Sequence, residues 1–430
     1  MSRPADRPPR TGGSVEGARP FIPILPSPSS SGAVPGAQGA APQATPGSLQ
    51  ALPPLSLYIH LPWCLRKCPY CDFNSHERRP SLAEQAQYRQ ALLADLESSL
   101  AGVWGRPVHS VFIGGGTPSL FEPEEIDRLL GEVRARLKLE PGCEITLEAN
   151  PGTFERDRFA AYAQAGITRL SIGVQSFNDE ALQAIGRVHD GAQARAAVEE
   201  AARVFDTWNI DLMYALPGQD AAALERDLKT ALDFNPPHLS IYHLTMEPNT
   251  RFATQPPPGL PDEETAFEML DLIVAATDKA GLSRYEVSAF SRPGHRCTHN
   301  LNYWRFGDYL GIGAGAHGKI SFPDRIVRQT RWRDPATYLR EVAAGRPVSN
   351  EQAIESADRP FEFMLNGLRL LEGVNLRTFT ERTGLPMTVL QPTLDRALAR
   401  ELIAVEGLQL RPTARGLDFL SDLQAMFLPD

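Results

Sequence analysis

LSLYIHLPWCLRKCPYCDFNS, residues 55–75, runs an alternating apolar segment directly into three closely spaced thiols. Leu55, Leu57 and Ile59 recur at every second position, the period of a strand with one buried face. Cys64, Cys68 and Cys71 follow in a C-x3-C-x2-C run that holds three of the chain's five cysteines. Three thiolates on one loop point to a metal, and the count of three is informative. A structural zinc site closes its tetrahedron with four protein ligands, and no second C-x-x-C or paired-histidine motif lies nearby. A [4Fe–4S] cluster held by three thiolates keeps one iron open to a cofactor or substrate. A zinc site completed by His60 or His76, or a set of redox thiols, are the other readings. A disulfide framework is excluded: three adjacent cysteines cannot pair evenly, and five in 430 residues do not make a secreted scaffold.

Outward from this loop, length and composition set bounds. A chain of 430 residues at 42% hydrophobic buries one large core and a smaller one. Net charge is −9 with Lys and Arg dispersed, so no basic stripe argues for nucleic acid. Residues 1–50 differ from the rest, with ten Pro, seven Gly and seven Ser, no Lys and a single aromatic, Phe21. That is too little apolar surface to offset ordering entropy, and the segment reads as a disordered tail. Its four Arg against two acids suggest a transit peptide, but ten prolines oppose the amphipathic helix such peptides form; a start placed too far upstream is a further reading.

From Leu55 onward strand patterns alternate with helical ones. HSVFIGGG (109–116), EITLEAN (144–150), TRLSIGVQ (168–175), NIDLMYALPG (209–218) and HLSIYHL (238–244) are apolar runs that mostly close on Gly or Asn. Helical patterns cover 82–100, 123–137, 154–165, 192–205 and 221–232. Such alternation predicts parallel strands with crossover helices, six units in all, fewer than a closed eight-fold barrel needs. In parallel α/β architectures the site collects at the C-terminal strand ends. Gly114-Gly115-Gly116-Thr117-Pro118 sits at one such end, where glycines let the backbone approach a ligand, although a plain tight turn reads the same way. Glu148 closes the next strand as a carboxylate, a solvated terminus being the alternative.

The cluster loop resembles that of radical S-adenosylmethionine (SAM) enzymes, and YIHLPWC with CPYCDF resembles their coproporphyrinogen dehydrogenase group. The resemblance implies a partial (β/α)6 TIM-type barrel and a [4Fe–4S] cluster on Cys64, Cys68 and Cys71. Its open iron would be chelated by SAM, and an electron passed into the sulfonium would release an adenosyl radical. It further implies that Gly115, Gly116 and Thr117 cradle the SAM amino group and that Glu148 binds the ribose hydroxyls. Tyr58 and the backbone of Tyr70 would flank the same SAM. Gln175, Arg187 and Asp211 match positions that bind a second SAM in the dehydrogenases. Those enzymes carry a fourth cysteine two places after the third, and here Phe73 stands there.

A second motif, HNLNYW, spans His299, Asn300, Tyr303 and Trp304. In a helical turn the imidazole and the two large rings would share one face, and imidazole ligates haem iron while aromatic rings pack on a porphyrin. Ordinary hydrogen bonding and core packing are the alternatives. Together with Phe73 the motif resembles the HemW family of radical-SAM haem chaperones, from about Leu55 to the C-terminus. That resemblance implies haem as ligand, with His299 as a candidate iron ligand, and transfer to acceptor haemoproteins in the cytoplasm. Peripheral membrane contact through the acceptors and a homodimer are further expectations. Cys297 reads as a second soft ligand or a buried thiol. In LGIGAGAHG (310–318) His317 reads as a satisfied histidine.

The domain reading is a tail at 1–50, a radical SAM core at 51–255, an extension with the haem motif at 256–350 and a helical domain at 351–430. In the last, three helices followed by the strand pair LIAVEGLQLRPT suggest a winged-helix-like module. Its third helix sets Asp395 and Glu401 against Arg396 and Arg400, a poor face for phosphate, so a lid or partner surface is expected there in place of DNA binding.

Overall fold

The computed structural model describes Leu49, residues 51–152 and residues 156–429. The tail expected at 1–50 therefore lies outside the described residues except for Leu49. Leu49 is buried, and its N–H donates to the Pro323 carbonyl at 2.8 Å.

All six expected strands form: β1 (Leu55–Leu61), β2 (Val108–Gly115), β3 (Leu139–Ala149), β4 (Arg169–Gln175), β5 (Thr207–Tyr214) and β6 (His238–His243). They pair in sequence order, each parallel to the last. The crossovers carry α1 (Leu82–Val103), α2 (Pro123–Arg136), α3 (Phe159–Ala165), α4 (Asp179–Ala184), α5 (Gly191–Val204) and α6 (Ala221–Asp233). Local chemistry sets their starts: Ser81 and Glu84 form a reciprocal capping box at α1, and Asp190 and Gln193 do so at α5. Part of the helix expected at 154–165 lies outside the described residues, and α3 begins at Phe159.

After the helix α7 (Glu263–Lys279) come β7 (Ser283–Glu286), β8 (Ala289–Ser291) and the short helix α8 (Thr298–Trp304). β9 (Asp308–Ile312), β10 (His317–Ser321), β11 (Ile326–Arg331) and β12 (Val348–Ala353) complete the sheet. Among the described residues it has twelve strands in the order β12-β11-β10-β9-β1-β2-β3-β4-β5-β6-β8-β7, and its two end strands do not pair, which leaves the barrel open. β9 lies parallel to β1 on the side away from β2, a seventh parallel strand beyond the six expected. The other five added strands are antiparallel to their neighbours.

Leu55, Leu57, Ile59, Val111 and Ile113 point outward into the main core, where they are fully buried. The alternate residues point inward, and Tyr58, Phe112, Glu148, Gln175 and Asp211 are only half-buried. An inward face with that exposure lines an open lumen; a closed barrel would fill it with side chains.

The C-terminal segment has helices Arg359–Gly367, Leu376–Thr383 and Gln391–Ala399, then strands Ile403–Glu406 and Gln409–Pro412 joined by Val374–Asn375 in a three-stranded sheet. Phe363, Phe379, Leu394 and Leu410 fill a separate core that also takes in Leu49, Phe306 and Ile326. The final helix expected over 414–427 is two short helices, because Phe419, at φ −113° and ψ 40°, leaves the helical region.

Candidate functional site

The cysteine loop is closed at its base. Trp63–Cys64 pairs in parallel with His76–Glu77, the His76 N–H donates to the Pro62 carbonyl at 2.7 Å, and the Arg78 N–H donates to the Cys64 carbonyl at 2.9 Å. Inside the loop the Cys71 N–H donates to the Cys68 carbonyl at 3.1 Å, and Lys67 Nζ donates to the Phe73 carbonyl at 3.0 Å. Cys64 is buried, Cys68 and Cys71 are half-buried, and all three are free thiols. Among the described residues no three His, Cys, Asp or Glu side chains converge on a point as a single-ion site requires. His60 is engaged at both ring nitrogens, Nδ1 with the Tyr58 hydroxyl and Nε2 with the Asn74 carbonyl, each at 2.9 Å. Phe73 is 58% exposed and gives the loop only its backbone carbonyl.

Across the lumen mouth, Gly115 sits at φ +118°, and its N–H donates to Glu148 Oε2 at 3.1 Å. A Cβ on Gly115 would lie 2.6 Å from the His60 ring, and one on Gly116 would lie 2.5 Å from the Trp63 carbonyl oxygen. That carbonyl is fixed, since it accepts the Thr117 N–H at 2.8 Å. Gly116→Ala is therefore expected to push the glycine turn off the cysteine loop, costing about 1–3 kcal/mol of stability and at least ~10-fold in SAM affinity. Thermal melts and equilibrium dialysis with labelled SAM measure the two effects.

Glu148 and Asp211 face each other's strands in the lumen. Burial, with the Asp211 charge adding to it, raises the Glu148 carboxyl to about 7 against the pull of the Gly115 N–H. Burial likewise raises Asp211 to about 6, although Asn209 Nδ2 at 2.7 Å and Ser171 Oγ at 3.1 Å both donate to it. Gln175 ends β4 at φ +69°, a left-handed conformation that a non-glycine residue rarely adopts. Arg187 reaches back from beyond α4: one guanidinium nitrogen lies 3.6 Å from Cys68 Sγ, the other donates to Asn150 Oδ1 at 2.7 Å and to the Gly173 carbonyl at 2.6 Å. Its Nε is buried without a partner. A buried orphan donor beside the Cys68 thiol, a glycine cradle and lumen carboxylates fit an iron–sulfur cluster with an anionic, hydroxyl-bearing ligand on it. Tyr70 is packed against Ile185, Met213 and Phe252.

At the other end of the strands, α8 seals the barrel floor. His299 is buried; its Nδ1 pairs with Ser110 Oγ at 3.1 Å, and its ring packs 5.0 Å from Phe112 and 6.4 Å from Tyr58. Ser110 Oγ is 2.8 Å from Ser56 Oγ, which accepts from Asn302 Nδ2 at 2.9 Å. The ring tautomer protonated at Nδ1 leaves the Nε2 lone pair for another partner, whereas the other tautomer lets Nδ1 accept a bond relayed from Asn302 through Ser56 and Ser110. Burial pushes the His299 imidazole down to about 3, so it is neutral at physiological pH. The shared face expected for HNLNYW does not form. Tyr303 packs against Tyr309 at 5.0 Å, and Trp304 stands at 86° to Tyr303 under the Arg369 guanidinium. Asn300 is half-buried. Cys297 is buried at the start of α8, and burial pushes its thiol up to about 12, the behaviour of a core thiol and not of a ready ligand. His317 pairs through Nδ1 with Thr330 Oγ1 at 3.4 Å, a satisfied histidine as expected, but it is exposed and not buried.

Sequence comparison adds ancestry to this geometry. The radical SAM superfamily model matches residues 58–231, and the model of the HemN C-terminal domain matches residues 354–419. The heme chaperone HemW of Escherichia coli K12 is 46% identical over 381 residues, covering 88% of this chain and 99% of its own. The chain belongs to the heme chaperone HemW family. The Bacillus subtilis member of that family is 33% identical, over 80% of this chain and 91% of its own. Membership implies a [4Fe–4S] cluster and SAM as cofactors. Among solved structures, the radical SAM enzyme coproporphyrinogen III oxidase (HemN) of E. coli superposes with a TM-score of 0.74 at 24% identity, covering 87% of this chain and 90% of that one, a likeness of fold. Three residues that sequence reasoning passed over belong to these sites: Asn150, Ser110 and Ser56. Asn150 is visible in the sequence only as the polar end of a strand, and the two serines only as small inward residues.

Proposed function

We propose that this protein is a cytoplasmic haem chaperone that holds haem through His299 and passes it to acceptor haemoproteins. The observation that carries this reading is the buried, neutral imidazole on the lumen floor, paired with Ser110 at Nδ1 and packed against Tyr58 and Phe112. An imidazole so oriented is ready to ligate iron without first losing a proton. At the opposite mouth Cys64, Cys68 and Cys71 hold the cluster, while Gly115, Gly116, Thr117 and Glu148 receive SAM. The cluster supplies one-electron reduction of the SAM sulfonium when both are bound. Gln175, Arg187 and Asp211 line the same mouth and favour a second reading, oxidative decarboxylation of coproporphyrinogen III; Phe73 in place of a fourth cysteine opposes it. No helix among the described residues is long and apolar enough to cross a membrane, and contact with a membrane would come through the acceptors. The self-association expected from the family would be read from sedimentation with and without cluster and SAM.

Anaerobic reconstitution with iron and sulfide followed by haem titration tests the proposal. Saturable binding near one haem per chain, with transfer to an apo-haemoprotein, is the expected result. A reconstituted protein that takes up no haem but converts coproporphyrinogen III in the presence of SAM and a reductant would replace it with the second reading.

A further inference from the structure

Four hydrogen bonds join two of the three proposed cluster cysteines through residues that are far apart in sequence. Thr117 Oγ1, just after β2, donates to Cys64 Sγ at 3.4 Å. Asn150 Nδ2, at the end of β3, donates to Thr117 Oγ1 at 3.0 Å. The other end of the same amide, Asn150 Oδ1, accepts from Arg187 at 2.7 Å, and the second terminal nitrogen of that guanidinium lies 3.6 Å from Cys68 Sγ. Asn150 itself is held from behind, its N–H donating to Ser119 Oγ at 3.3 Å, with Pro151 fixing the chain beyond it.

An amide is the side chain this position requires. Thr117 has one proton, and a second donor must meet its oxygen if that proton is to stay on sulfur; Nδ2 is that donor. Arg187 can only donate, so its partner must be an acceptor, and Oδ1 is that acceptor. Leucine could satisfy neither, and a carboxylate would satisfy only Arg187. We propose that Asn150 is a positioning residue for the iron–sulfur cluster: its amide fixes Thr117 and Arg187 so that each aims one donor at a different cluster thiolate. Hydrogen bonds to ligand sulfurs stabilise the reduced, more negative cluster and raise its reduction potential. Cys71 stands outside this chain, with Ser75 Oγ 3.9 Å from its sulfur.

The inference rests on the cluster assignment, so its test separates the two. The parent chain and Asn150→Ala are reconstituted anaerobically without SAM, and each is titrated potentiometrically with the reduced cluster followed by electron paramagnetic resonance. Asn150→Ala is expected to lower the reduced-to-oxidised ratio at fixed potential about 10-fold, a shift of about 59 mV for a one-electron couple. Asn150→Asp keeps the acceptor for Arg187 and loses the donor to Thr117, so a smaller shift is expected. Thr117→Val combined with Asn150→Ala should shift the potential by less than the sum of the two single changes, since the residues act in one chain. An Asn150→Ala potential equal to the parent's, or strict additivity with Thr117→Val, overturns the proposal. If Asn150→Ala takes up no cluster, Asn150→Asp and Thr117→Val decide it by the same titration, unchanged potentials in both counting against it. A parent chain that forms no iron–sulfur signal would instead refute the cluster assignment itself.

Discussion

Replacing His299 with alanine is expected to abolish saturable haem binding while the iron–sulfur chromophore survives. The two sites lie at opposite ends of one strand: Ser56, in the hydrogen-bond chain of His299, and Leu61, before the cysteine loop, are five residues apart on β1. At ~3.3 Å per residue that is roughly 17 Å, too far for an imidazole on the floor to ligate the cluster. Loss of an outer partner of a metal-bound histidine commonly costs ~10–100-fold in affinity, so loss of the ligand itself should exceed ~100-fold. Ser110→Ala, which removes only the partner of Nδ1, is expected to fall in that ~10–100-fold range. The pH dependence sharpens the test. Burial holds the imidazole down at about 3, so protonation of His299 does not compete with iron between pH 8 and 5, and any change of affinity over that window comes from the lumen carboxyls Glu148, at about 7, and Asp211, at about 6. An ordinary solvated histidine would weaken as pH falls below ~6.5. Haem titrations of both variants at pH 8 and pH 5.5, with cluster absorbance recorded in parallel, measure all of this. Unchanged affinity in His299→Ala would move haem to a different face of the protein and make HNLNYW a floor-packing motif.

What the sequence makes legible follows from how local each signal is. Buried parallel strands are written as short apolar runs, several of them closing on Gly or Asn, and β1 to β6 stand where those runs stand. The three cysteines proposed to hold the cluster lie within eight residues of one another and need no tertiary information. β9 is hidden because its five residues, DYLGI, are interrupted by Gly311, and its partner β1 is about 250 residues earlier. Helical spacing alone predicts one ligand face for HNLNYW. The seven residues of α8 instead serve two neighbours, the serines of β1 and β2 on one side and Tyr309 with Arg369 on the other, and tertiary packing overrides the spacing. The Thr117–Asn150–Arg187 chain is illegible for the same reason in a stronger form: each residue is ordinary in its local sequence, and only the fold brings the ends of β2 and β3 to the segment after α4 that carries Arg187.

Glu148→Gln should act in opposite directions on stability and on SAM binding. Glu148 is held at about 7 in the folded chain, above its ordinary 4.5, chiefly because burial disfavours the carboxylate. The folded state therefore binds the proton more tightly than the unfolded state, and stability falls as pH rises from about 4.5 to about 7. Above that window the native chain carries the full cost of an ionised carboxylate in the lumen. The substituted amide carries no charge, so the variant is expected to be more stable than the parent at pH 8 by roughly 1–3 kcal/mol, with the difference vanishing below pH ~4.5. Melts of the SAM-free proteins at pH 4.5 and pH 8 check the sign, and a variant no more stable than the parent at pH 8 would mean that the carboxylate is compensated in the fold. Affinity should move the other way. A carboxylate offers two acceptor oxygens to a ribose diol, whereas an amide offers one acceptor and one donor, and losing a charge-assisted bond of about 1.5–3 kcal/mol weakens SAM binding ~10–100-fold. A site that destabilises its own fold until a ligand arrives is what a preorganised receptor for a diol would look like, and the opposite signs of the two effects distinguish it from a carboxylate kept for structure. Equal or tighter SAM binding by Glu148→Gln would take Glu148 out of the SAM site.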